Sequence, residues 1–243
     1  PSTLRYEQGA EVETLKVNII GTLNCLEVAR HRRSRILFAS SGDVYGAQRQ
    51  QSMREDSPFG PARSALAEGK RAAESLVRAY RDEYQVDGKI ARIFNTYGTG
   101  ADTSDQRVVA KMIVEALTGQ NISIYGSGEQ LRTFCWVGDV VDALIRLMNR
   151  LPDVEVPTVN IGSNHEISIR ALAEKIISIT GSRSKIIHLG ARNDDPRHKS
   201  PDISHARQML DWQPTTSIDE GLLQTINYFE RELCSMRSWV EMH

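Results

Sequence analysis

The sequence is short of cysteine, of net charge and of long apolar runs, and each shortage excludes something. Its three cysteines, Cys25, Cys135 and Cys234, are scattered over 243 residues. That spacing suits neither a disulfide framework nor a zinc motif, so no metal is expected and a reducing cytoplasm is the expected compartment. The formal net charge of -1 provides no bulk attraction to nucleic acid or to a membrane surface. No apolar stretch is long enough to span a bilayer, and no signal peptide is visible. Internal repeats, low-complexity tracts and flexible linkers are also missing, so a single unit over residues 1–243 is expected. The first residue is Pro1 rather than methionine, which suggests processing or a chain that begins inside a longer one.

What is present is an alternation of helical and strand patterns. Glu11 to Arg33 reads as an amphipathic helix on the spacing of Val12, Leu15, Ile19, Leu23, Leu26 and Val28. The Arg30–His31–Arg32–Arg33 cluster is read as its solvated C-terminal end, where cations are favourable. Arg35 to Ser40, Lys89 to Phe94 and Val156 to Ile161 read as buried parallel strands. Further helices are expected from Ser64 to Tyr84, Arg107 to Leu117, about Val137 to Arg150, Ile169 to Thr180, Asp202 to Leu210 and Ile218 to Glu232. Gly181 is the stop of the helix before it. Ser184 to Leu189 reads as one more strand, and Gln48 to Pro61 as a polar loop.

Several strands end in runs that carry chemistry. The first ends in Ser40–Ser41–Gly42–Asp43–Val44–Tyr45–Gly46, and the second leads to Asn95–Thr96–Tyr97–Gly98. Open α/β sheets place ligand-binding residues at such carboxyl ends. The helix after the first strand carries Leu66–Ala67–Glu68–Gly69–Lys70–Arg71, with positions 66 and 70 on one face. Further on come Gln106–Arg107–Val108–Val109, then Ile122–Ser123–Ile124–Tyr125–Gly126–Ser127–Gly128, Arg132, and finally Asp194–Asp195–Pro196–Arg197–His198–Lys199–Ser200–Pro201–Asp202.

In this order and at this spacing the runs resemble the extended short-chain dehydrogenase/reductases, the NAD-dependent epimerase/dehydratase family. The resemblance covers roughly residues 18–229 and is best for the UDP-glucuronate decarboxylases. It implies an α/β fold: a Rossmann-like parallel sheet with a smaller interleaved nucleotide-sugar subdomain. The dinucleotide-fold portion would be 11–106 plus about 137–163, and the substrate portion about 107–136 and 164–232. It implies that Ser41 orients a sugar hydroxyl, that Asp43 serves proton transfer, and that Lys70 holds a cofactor ribose with Ile93 beside the cofactor. It implies that Asn95, Arg107, Tyr125, Arg132 and Arg197 bind a UDP-sugar, with Arg132 on the diphosphate. A planar guanidinium suits bidentate phosphate binding. Lys199 aligns with an arginine that the resemblance makes a catalytic candidate in the decarboxylating members, and keeps its charge without its fork. Asp139 is read as structural, at the positive end of its helix.

Two departures matter. Family members carry Tyr-x-x-x-Lys on the active-site helix, and here the tyrosine position is Leu66. A phenol titrates near pH ~10 unperturbed, and a neighbouring ammonium favours the phenolate that takes the sugar hydroxyl proton. Leucine does none of this. The family's Gly-x-x-Gly-x-x-Gly turn, which seats the cofactor pyrophosphate at a helix N-terminus, is also missing from these residues.

The core sheet is therefore expected to lack its first strands, leaving the strand near Arg35–Ser40 as an edge covered by a partner chain, a second copy or a further segment. Either the chain is a piece of a longer protein, or it is a shortened relative that dispensed with nicotinamide; Leu66 favours the second. Three functions follow from the resemblance. They are a UDP-glucuronate decarboxylase-like enzyme with impaired redox catalysis, an inactive nucleotide-sugar-binding or scaffolding relative, and a redox-free enzyme using Asp43, Lys70 or the basic loop. NAD is the family cofactor and is expected not to be bound by this chain alone. A homodimer through the first two long helices is the expected assembly.

Overall fold

The computed structural model describes residues 9–47, 52–62, 64–151, 157–190 and 200–242. At its centre are three parallel strands in the order β1 (Ile36–Ser41), β3 (Gly88–Ile93), β8 (Thr158–Ile161), with Ala39 opposite Ala91 and Ala91 opposite Val159. Helices α1 (Glu11–Arg32) and α2 (Ala65–Tyr84) cover one face, where Leu26, Phe38, Val77 and Ile90 are buried together. Helices α4 (Val137–Asn149) and α6 (Ser204–Leu210) cover the other, around Ala143, Leu147, Val159 and Trp212. Burial on both faces explains why these strands read as apolar runs rather than alternating ones. Among the described residues no strand pairs with the outer edge of β1.

A second layer packs beside the sheet. Helices α3 (Val108–Leu117), α5 (Ile169–Thr180) and α7 (Ile218–Met242) enclose Met112, Ile113, Leu172, Ile176 and Phe229 against strand β5 (Ile122–Tyr125). Strand β5 pairs in parallel with β10 (Ile186–Leu189). Short pairings tie the loops down: β2 (Ser52–Met53) with β11 (Ser200–Pro201), β4 (Thr96–Tyr97) with β7 (Cys135–Trp136), and β6 (Leu131–Thr133) with β9 (Glu166–Ser168). Asp139, in the first turn of α4, accepts from the Thr215 hydroxyl at 3.1 Å and the Thr216 N–H at 3.0 Å. It fastens the loop before α7 and has the structural role expected of it. Among the described residues no helix is long and apolar enough to cross a membrane.

Helix ends follow local chemistry. The Ser64 hydroxyl caps α2 by accepting from the Ala67 N–H at 3.2 Å, and Ser168 caps α5 in the same way at 3.1 Å. Gly181 closes α5 with φ +61°, a left-handed conformation that suits glycine. The basic end of α1 is exposed, as its composition suggested.

Four expectations are corrected. The buried face of α1 is not the apolar set. Thr14, Asn18, Thr22, Leu26 and Ala29 are buried, while Val12, Leu23 and Val28 are exposed. The cause is a close crossing: a Cβ on Gly69 of α2 would stand 2.9 Å from Asn18 Cβ, so small and polar side chains occupy the contact there, and of the apolar set only Leu26 is fully buried. Helix α6 begins at Ser204 rather than Asp202, because the Asp202 carboxylate accepts from the Ser204 N–H and stays outside the helix. Helix α7 continues past Glu232 to Met242. The loop over 48–61 contains β2, a pairing too short to carry a periodic signal.

Candidate functional site

The carboxyl ends of β1 and β3 open into a cleft of about 1470 Å³ between the two layers. Its walls bring together Ser41, Asp43, Leu66, Lys70, Ile93, Asn95, Arg107, Tyr125 and Arg132. These residues come from segments spread along some ninety positions of chain, and each was singled out by its local run. Arg197 and Lys199 lie outside the described residues.

At the sheet end, β1 runs into a short 3₁₀ turn over Gly42–Tyr45. Ser41 holds that turn: its hydroxyl accepts from the Asp43 N–H at 3.1 Å and lies 3.1 Å from an Asp43 carboxylate oxygen. The turn therefore presents a hydroxyl and a carboxylate side by side. Opposite, on α2, Lys70 Nζ donates to the Ala39 carbonyl at 2.8 Å and lies 4.8 Å from the Phe38 ring centroid. Burial pulls the Lys70 pKa below the usual lysine range. Leu66 stands one helical turn before it and also lines the cleft.

Beneath the turn lies a buried polar network that sequence reading missed. Arg92 donates to both Glu74 carboxylate oxygens, at 2.9 and 2.8 Å, and to the Tyr45 hydroxyl at 2.9 Å. The Ser40 hydroxyl donates to Glu74 at 2.7 Å, and Tyr45 donates to the Asn160 carbonyl oxygen at 2.6 Å. Asn160 in turn donates to the Met53 carbonyl at 2.8 Å. Burial pushes the Tyr45 phenol up to about 12. Burial alone would raise the Glu74 carboxyl as well, but the Arg92 guanidinium outweighs it and holds the group below its usual value. The network fixes β1, β2, β3, β8 and α2 to one another directly under Ser41 and Asp43.

At the other end of the cleft, Asn95 donates to the Thr133 carbonyl at 3.1 Å, Arg107 pairs with Asp105 at 2.5 Å, and Arg132 donates to the Leu131 carbonyl at 2.6 Å. Lys111, one helical turn after Arg107 and on the same face of α3, donates to the Ser123 hydroxyl at 2.6 Å. Its place in the cleft wall, like that of Thr14 and Asn18, was not read from sequence. The available signal was the four-residue spacing from Arg107.

Comparison with known proteins gives a consistent picture. The model of the "NAD dependent epimerase/dehydratase family" matches residues 3–162. UDP-glucuronic acid decarboxylase 1 of Danio rerio is 42% identical over 227 residues, which are 91% of this chain and 53% of that protein. UDP-glucuronic acid decarboxylase 3 of Arabidopsis thaliana is 39% identical over 216 residues, 87% of this chain and 62% of that one. The chain thus spans between about half and three fifths of the length of these relatives. Among solved structures, UDP-glucose 4-epimerase from Thermotoga maritima, with UDP-glucose, superposes at a TM-score of 0.88 with 27% identity, covering 96% of this chain and 75% of that one. MoeE5 in complex with UDP-glucuronic acid and NAD gives 0.83 with 28% identity, covering 93% and 75%.

Proposed function

This chain belongs to the NAD-dependent epimerase/dehydratase family, and on that premise we propose that it processes or binds a nucleotide sugar of the UDP-glucuronate type, with its redox step impaired at Leu66. The observation that carries this reading is the single cleft that collects Ser41, Asp43, Lys70, Asn95, Arg107, Tyr125 and Arg132. In it Ser41 orients a sugar hydroxyl, Asp43 exchanges a proton, and Arg132 and Arg107 answer the diphosphate. Leu66 occupies the position of the family's tyrosine, so position 66 supplies no phenolate beside Lys70 to take the hydroxyl proton. Arg197 and Lys199 would add positive charge at the sugar end.

NAD is the cofactor of this reading, where it would supply the hydride acceptor for a sugar carbinol. The residues present fit only part of it. Lys70 and Ile93 line the cleft and suit the ribose and nicotinamide end, whereas these 243 residues contain no glycine-rich turn for the pyrophosphate. The fit therefore favours a chain that holds the sugar nucleotide and does not by itself hold NAD. A non-catalytic binding relative is the second reading, favoured by Leu66. A redox-free enzyme acting through Asp43 and Lys70 is the third, and product formation without nicotinamide separates it from the second.

Calorimetric titration with UDP, then with NAD, tests the proposal. UDP is expected to bind and NAD not to bind. Binding of neither removes the nucleotide-sugar reading; tight NAD binding removes the partial-cofactor reading.

A homodimer through α1 and α2 belongs to the same proposal. It is supported by Val12, Val17, Ile20, Leu23 and Val28, which leave apolar surface exposed on α1. Light scattering coupled to size exclusion is expected to give twice the chain mass of 27.2 kDa; a monomer across the micromolar range removes this part.

A further inference from the structure

We infer that Lys111 is a specificity-determining residue of the cleft, which reads a carbonyl oxygen on the nucleotide base and so selects an oxo-pyrimidine over its amino counterpart. The inference rests on the nucleotide reading above and goes beyond it by assigning the base-selecting group.

Lysine carries three donors and no acceptor. At Lys111 one donor goes to Ser123 Oγ at 2.6 Å, and a second faces Glu115 Oε1 at 3.4 Å. The Ser123 hydroxyl spends its own hydrogen on Glu115 at 2.9 Å, and the Ser123 N–H lies 3.3 Å from the other Glu115 oxygen. The ammonium meets no further acceptor among the described residues, yet its side chain keeps 25% of its exposure and lines the cleft. A donor is therefore left for a bound group. The cleft holds the apolar Val109, Met112, Ile124 and Phe134 beside the polar Gln130 and Arg132, and the Lys111 side chain is itself mostly buried, so a hydrogen bond made there is strengthened and a mismatched one is costly.

Two observations choose a base over a phosphate. Glu115 already neutralises Lys111, with only 13% of the carboxylate side chain exposed. A phosphate brought to this ammonium would meet the carboxylate as a like charge, whereas a neutral carbonyl would not. The Tyr125 ring lies 5.9 Å from the ammonium and lines the same cleft, so a flat face and a donor are presented together, the combination that holds a base by stacking and by its edge. Uracil and thymine offer a carbonyl oxygen where cytosine carries an amino group. Opposite Lys111 that amino group sets donor against donor, and a site built to hydrogen-bond one partner rejects the other.

The test is a set of titrations with UDP, CDP and inorganic pyrophosphate on the native chain and on Lys111→Met. The native chain is expected to prefer UDP over CDP by about 10- to 100-fold, the scale of one hydrogen bond to a charged group. In Lys111→Met the preference collapses toward unity while pyrophosphate affinity is unchanged. Lys111→Arg, which keeps charge and donors, retains the preference and serves as the comparison if the methionine variant folds poorly. Equal losses for UDP, CDP and pyrophosphate in Lys111→Met would mean a general electrostatic role and overturn the inference. A native chain that binds UDP and CDP alike also overturns it while leaving the nucleotide site standing. A native chain that binds none of the three removes the nucleotide reading and the Lys111 role with it.

Discussion

Arg92→Ala lowers the free energy of unfolding by about 3–5 kcal/mol, the usual cost of leaving one half of a buried ion pair uncompensated. Arg92 and Glu74 side chains are 3% and 1% exposed and meet through two parallel hydrogen bonds. Removing the guanidinium leaves Glu74 with the Ser40 hydroxyl at 2.7 Å and the more exposed Arg78 at 3.3 Å, and deprives the Tyr45 hydroxyl of its donor. Urea unfolding measures the loss; a change below about 1 kcal/mol, the scale of an exposed pair, would sink the idea. The sign with pH follows from the carboxyl. Because Glu74 is held below its usual value when folded, its contribution is complete above the unfolded pKa of about 4.3 and is lost as pH falls through the folded one. The stability gap between the native chain and Glu74→Gln therefore narrows on acidification.

That network also marks the limit of what the sequence discloses. Strands β1, β3 and β8 and most helices were legible, because apolar runs and 3.6-residue periodicity report on burial directly. The cleft residues Ser41, Asp43, Lys70, Asn95 and Arg132 were legible through the resemblance of their runs to the family's motifs, in family order, and not from any one run alone. Tyr45 and Asn160 meet across 115 positions of chain, and nothing local to either identifies the other. Glu74 and Arg92 read as ordinary helix and strand charges until the fold opposes them. The contact face of α1 was misread for a related reason: its periodicity was taken from apolar side chains, while the close approach at Gly69 selects for small ones. The strand pair β2–β11 joins residues 148 apart through two residues on each side, which leaves no pattern to find.

Leu66→Tyr creates a phenol whose pKa lies about 1–3 units below the ordinary value near ~10, the scale of an opposite charge within about 4–6 Å. The new side chain stands one helical turn before Lys70 on the same face of α2, in a position that already lines the cleft. Two effects compete. Burial disfavours the phenolate, and burial likewise draws the Lys70 pKa down. The pair titrates as a unit, and the state with one proton fewer is favoured when the remaining charge is an ion pair rather than a lone ammonium in an apolar wall. Lys70 is already anchored by the Ala39 carbonyl at 2.8 Å, so the ammonium is positioned before the phenol arrives. Ultraviolet difference titration between Leu66→Tyr and the native chain isolates the new group, since the seven native tyrosines are common to both proteins. Adding Lys70→Met should return the new phenol to about 10 or above. A normal pKa in the single variant would mean that Lys70 does not act on position 66, and the proposed redox impairment could then not be assigned to the replaced tyrosine alone. NAD-dependent turnover of UDP-glucuronate by the native sequence would remove the premise from the other side, because it would require a proton carrier other than the residue at position 66.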